Sequence, residues 1–118
     1  MKMEMLRNRT KQFALRIVRM FAVLPKNSAA KVIGHQVFRS GTSVAANLRE
    51  ATRARSKSEF LSKLGIVEQE LDETILWLEL LVEAQIVPAN RMAALCTEAD
   101  ELLRIIVASI RTAKKRSK

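Results

Sequence analysis

The chain has 118 residues, enough for one domain and too few for a second core of useful size. Hydrophobic content of 48% with three glycines and two prolines excludes a disordered chain and favours helices over sheet. The formal charge is +9, but aromatics are 4% and tyrosine is absent, so an anionic partner is expected without a platform of exposed rings for stacking bases. No apolar run approaches the ~18 residues of a membrane span. The segment after Met1–Thr10 is broken by Arg16 and Arg19, unlike a secretory signal. Cys96 is alone and can form no internal disulfide, so a reducing cytoplasm is the expected location.

The first helix is expected over 8–24, ended by Pro25, with Phe13, Ile17, Met20 and Leu24 inward and Arg9, Gln12, Arg16 and Arg19 on another face. Asn27 or Ser28 caps a second helix over 28–54. A third, over 57–85, carries a bundle seam at Phe60, Leu64, Val67, Leu71, Thr74, Leu78 and Leu81. Pro88 precedes a fourth over 89–113, with Met92, Leu95, Ala99, Leu102, Ile106 and Ile110 inward. Short connections make sequential helices antiparallel. The fold class is therefore all-α, an up-down-up-down four-helix bundle spanning 1–118 as one domain, with a basic tail at 111–118.

Charge is unevenly spread. Segments 1–26, 27–55 and 88–118 carry +6, +4 and +4, whereas 56–87 carries −5. One acidic segment among three basic ones serves pairing within the chain, pairing between subunits, or exclusion of an anion from one side. The third and fourth helices also hold apolar residues off the main stripe, among them Leu61, Ile66, Ile75, Leu76, Trp77, Leu80, Leu103, Ile105 and Val107. Either a wide core takes them in, or they form a self-association face.

In the second helix, Ser40, Gly41, Thr42 and Ser43 interrupt good helix formers, a choice that suits close approach of another helix. Gln36, Ser40, Ser43, Asn47 and Glu50 form a polar stripe beside Ile33, Val37, Val44, Leu48 and Ala51. The polar stripe faces a neighbouring helix, a neighbouring subunit or solvent. Arg39-Ser40, Ser43-Val44 and Asn47-Leu48-x-Glu50, with Ser58-Glu59-Phe60 and Glu73-Thr74-x-x-Trp77-Leu78, resemble the signature of a bacterial four-helix-bundle family. Many genes of that family lie in intervening sequences of large-subunit ribosomal RNA genes. The resemblance runs from about Lys11 to Ile110. Ala51 departs from it, since many members have glycine there, and alanine makes that turn a firmer helix. The resemblance implies a ring-shaped homo-oligomer, with a pentamer favoured. It also brings in a related branch of accessory proteins that bind reverse transcriptases in diversity-generating retroelements.

No catalytic constellation is visible. His35 has no second histidine or cysteine pair to complete a metal set, and no Glu-x-x-His is present. The third-helix carboxylates are too many and too regular to single out an acid–base pair. No cofactor is expected. The candidate nucleic-acid contacts are Arg9, Arg16 and Arg19, then Arg49 and Arg53, then Arg111, Lys114, Lys115 and Arg116. Arg39, Ser40, Ser43, Asn47, Glu50 and Trp77 are the motif or interface set, with Arg39 and Arg49 equally able to pair with Glu50 or with the acidic third helix. The expected protein is a non-enzymatic bundle that binds nucleic acid, RNA before DNA, through backbone phosphates and shape. The alternative is a scaffold docking a nucleic-acid enzyme such as a reverse transcriptase.

Overall fold

A computed structural model describes residues 2–116 as four helices and no strand. They are α1 (Lys2–Ala22), α2 (Ser28–Thr52), α3 (Lys57–Glu83) and α4 (Ala89–Lys115). The bundle is elongated, 51 × 21 × 20 Å. A 27-residue helix rising about 1.5 Å per residue accounts for roughly 40 Å of that length. The helices pack in chain order: α2 lies closely against α1 and α3, α4 packs on α3, and α1 and α4 barely touch.

Local chemistry sets the boundaries. The Asn27 side chain accepts a hydrogen bond from the Ala30 amide at 2.9 Å and so caps α2. Ser56 does the same for the Glu59 amide at 3.0 Å, opening α3. Gln85 takes a left-handed conformation, φ 60°, and the Ile86 and Val87 amides bond back to the Leu81 carbonyl. That wrap ends α3 at Glu83, two residues short of the expected 85. The clearest correction is at the start of α1, which begins at Lys2 and not near residue 8. Leu6 is wholly buried and Met3 packs against the core, so the apolar stripe extends at least about two turns further back than Phe13.

The expected seam forms the core, with Phe13, Ile17, Val37, Val44, Leu48, Leu64, Leu71, Leu78, Leu102 and Ile106 at or near zero exposure. Met20, Leu24, Phe60 and Ile110 pack at its flanks. Truncating one fully enclosed leucine to alanine costs about 2–5 kcal/mol in such a core. The small residues of α2 behave as their placement suggested. A β-carbon on Gly41 would lie 2.9 Å from Ile17 Cγ1, and one on Gly34 would lie 2.8 Å from Leu24 Cδ1. Gly41 therefore marks a close approach of α1 to α2, and Gly34 a close approach of α2 to the turn that follows α1.

Most of the off-stripe apolar residues are taken in by the flanks. Ile75, Trp77, Leu103 and Ile105 pack against the core and Leu61, Ile66, Leu80 and Val107 are half-buried, whereas Leu76 stays 47% exposed. Among the described residues no helix is long and apolar enough to cross a membrane.

Candidate nucleic-acid interface

Up-down topology brings the start of α1, the end of α2, the start of α3 and the end of α4 to the same end of the bundle. Three basic segments, separated in sequence, meet there. The glycine contacts set the register of the α1–α2 hairpin: Gly41 lies against Ile17 and Gly34 against Leu24. Counting back from those pairs puts residues 7–11 level with residues 47–51. Arg7 and Lys11 of α1 and Arg49 and Arg53 of α2 accordingly line one open groove. Ala45, Ala46 and Glu50 of α2 and Glu59 and Lys63 of α3 also line it. It continues along α1 past Glu4 and Asn8.

Pairing decides which of these charges are available. Lys63 Nζ lies 2.6 Å from Glu50 Oε1, and Arg55 lies 3.7 Å from Glu59. The Glu59 carboxyl sits below the usual carboxylate range, chiefly because it accepts a hydrogen bond from the Arg55 amide. Arg7, Lys11, Arg49 and Arg53 have no ion-pair partner among the described residues. Four uncompensated cations thus share one shallow groove, where fields from neighbouring like charges add.

The sequence candidates divide on this geometry. Arg49 and Arg53 stand in the groove. Arg9 does not: its guanidinium donates to both Glu98 oxygens, at 2.7 and 3.1 Å, and to Glu101 at 2.7 Å. Those carboxylates hold Arg9 above the ordinary arginine value, Glu98 contributing most. It is a fork-shaped tie across the thin α1–α4 seam, and its charge is neutralised twice. Arg16 is half-buried and Arg19 exposed, both outside the groove lining. Arg111, Lys114, Lys115 and Arg116 are exposed at the same end of the bundle as the groove. Ser117 and Lys118, the last residues of the tail, lie outside the described residues.

Arg7 and Lys11 were missed because a charge on one helix says little until the helix beside it is known. The available signal was their one-turn spacing, repeated at Arg49 and Arg53 on the partner of an antiparallel hairpin.

The motif residues build a different structure, a clasp between α2 and α3. Arg39 donates to Glu73 and, at 3.3 Å, to Glu70. The Trp77 indole donates to the same Glu73 oxygen at 3.1 Å. The Glu73 carboxyl is held below its usual range, first by Trp77 and then by Arg39. Beneath this outer layer, the Thr74 hydroxyl lies 2.8 Å from Ser40 Oγ and 2.6 Å from the Glu70 carbonyl. Ser40 Oγ is also 2.9 Å from the Gln36 carbonyl. Each hydroxyl has one proton, so two of these three contacts are bonded at one time. Both side chains have zero exposure, and no buried side-chain polar atom among the described residues lacks a partner. Asn47 donates to Ser43 Oγ and to the Ser43 carbonyl, within its own helix. Glu50 reaches across to Lys63 of α3. The polar stripe therefore runs along the α2–α3 contact.

No group of three metal-ligating side chains occurs among the described residues. His35 is exposed beside the Phe21 ring, centroids 5.5 Å apart. Cys96 is half-buried and its thiol is pushed up by desolvation, away from the reactive thiolate.

The sequence profile of the 23S rRNA-intervening sequence proteins matches residues 4–108. The chain belongs to that family. A member of the S23 ribosomal protein family from Bacteroides thetaiotaomicron, of unknown function and with a crystal structure at 1.70 Å, superposes with a TM-score of 0.88. It is 32% identical, and the match covers 94% of this chain and 99% of that one. No match was found among curated proteins. The four-helix bundle is thus the architecture of this 23S rRNA-intervening sequence protein and of its crystallised relative.

Proposed function

We propose that this protein is a non-catalytic RNA-binding bundle that holds backbone phosphates in the groove between α1 and the end of α2. The carrying observation is the set of four cations, Arg7, Lys11, Arg49 and Arg53, gathered in one groove without ion-pair partners among the described residues, whereas Arg9 and Arg39 are neutralised by carboxylates. The family's link to ribosomal RNA favours RNA over DNA. The exposed basic end of α4 extends the same surface, and a cytoplasmic site of action suits the lone, unreactive cysteine.

Copies of the chain associate in a ring, with a pentamer favoured, which multiplies the grooves and the phosphates each assembly neutralises. Exposed Leu15, Val18, Val32 and Leu76 supply the apolar area such contacts need. Light scattering at micromolar concentration reads the mass directly, and a monomer removes the ring from the account.

The function is tested by fluorescence anisotropy of nuclease-treated protein against structured RNA across a salt series. The expected result is micromolar or tighter binding whose logarithm falls steeply with log salt, with a slope of about −0.7 to −0.9 per phosphate neutralised. Absence of binding even at low salt overturns the reading and redirects attention to a protein partner.

A further inference from the structure

The lining of the groove says what part of a nucleic acid it can hold. Its lining combines the methyl groups of Ala45 and Ala46 with cations and the carboxylates of Glu50 and Glu59. No aromatic ring lines it. Phe13 is wholly buried, Phe60 packs against the core, and Trp77 is tied to Glu73. Phe21 and Phe38 pack in a tilted arrangement, centroids 4.9 Å apart and ring planes at 59°, and Phe21 belongs to the cluster beside the α1–α2 turn at the other end of the bundle. Unpaired bases gain affinity by stacking on exposed rings, and this groove has none to offer.

The cations stand in two rows. Arg7 and Lys11 are one turn apart on α1, and Arg49 and Arg53 one turn apart on α2, so each row is about 6 Å long. Packed helix axes lie roughly 8–10 Å apart, which sets the rows on either side of a narrow trough. Glu4 on one side and Glu50 and Glu59 on the other border the trough with negative charge. A strand collapsed over the whole end of the bundle meets those carboxylates. A single sugar-phosphate ridge fits between them. In a duplex that ridge is already ordered and its bases are already stacked, so binding adds little ordering cost. A flexible single strand has to be straightened and releases fewer counterions per contact.

From this geometry we infer that the groove takes the sugar-phosphate ridge of double-stranded RNA and leaves unpaired bases unread. The inference rests on the phosphate-binding reading above and narrows its ligand class. The test uses the full chain, one RNA duplex of about two helical turns, its two separate strands, and a duplex of scrambled sequence, in anisotropy titrations at one salt concentration. Arg49→Ala/Arg53→Ala serves as the groove variant, with its fold checked by helical circular dichroism and melting. The duplex is expected to bind about tenfold tighter than either strand, reflecting the ordering cost the strands carry. The scrambled duplex is expected to match it, and the variant to lose most of this binding. Single strands that bind as tightly as the duplex, with the variant still impaired, overturn the duplex inference and leave the phosphate groove standing. A duplex preference untouched by the variant overturns the placement in this groove. No binding of any probe overturns the phosphate-binding reading itself.

Discussion

Arg39, Arg49 and Arg53 all stand on α2 or at its end, yet the structure gives them opposite fates. Arg39 meets Glu70 and Glu73 of α3 and becomes half of a clasp that also holds Trp77. Ten residues on, Arg49 looks toward α1, where the level residues are Arg7 and Lys11 and carry the same sign. A charge paired inside the molecule stabilises it and is hidden from partners. A charge set beside like charges costs the fold a little and is available to an anion. Ten residues turn Arg49 about 80° around the helix from Arg39, and the neighbouring helix each then meets decides the role.

The comparison breaks most sharply under charge reversal. Arg49→Glu with Arg53→Glu is expected to abolish RNA binding at about 0.15 M salt, where only close charges act. Stability is expected to stay within about 0.5 kcal/mol of the parent, because neither side chain has an ion-pair partner to lose. Urea melts alongside anisotropy separate the two effects.

Releasing Arg39 runs the comparison the other way. Glu70→Gln with Glu73→Gln frees its guanidinium, and the loss of these partly exposed pairs is expected to cost up to about 1 kcal/mol of stability. The same variant is expected to bind RNA several-fold tighter and to steepen the salt slope by about one contact. Thr74→Val removes the inner layer of the clasp alone. It is expected to cost about 1 kcal/mol, since Ser40 keeps its bond to the Gln36 carbonyl, and to leave RNA affinity unchanged.

The smallest effect is in pH. The folded Glu73 carboxyl titrates below its ordinary value of 4.5, so its contribution is present above that value and is lost as pH falls through the folded one. Glu73→Gln is expected to flatten the acid limb of a stability–pH curve and leave neutral RNA binding to the groove residues.

The bundle was legible in the sequence because its core repeats every three to four residues, from Leu64 through Leu81 and from Met92 through Ile106. The clasp was partly legible: the buried polar Ser40 signalled a close helix, which is α3, while the buried Gly41 marks the contact with α1. Arg9 misled because its face of α1 looks solvent-directed until α4 brings Glu98 and Glu101 beside it, from ninety residues away in the chain. The groove was half legible for the same reason. Arg49 and Arg53 stood out, while Arg7 and Lys11 gained meaning only from the register that Gly41 and Gly34 impose on the hairpin. Periodicity reports which way a residue points along its own helix. It does not report which charge stands opposite.

The most direct test of the account is the salt dependence of RNA binding for Arg39→Ala against Arg49→Ala/Arg53→Ala. Ten residues of helix separate Arg39 from Arg49 by about 15 Å, beyond the screening length of about 8 Å at physiological ionic strength. Arg39→Ala is therefore expected to keep the parent slope, and the double variant to lose about two contacts from it. Equal loss in both variants, or no loss in the double variant, contradicts the division of these arginines into a structural clasp and a phosphate groove.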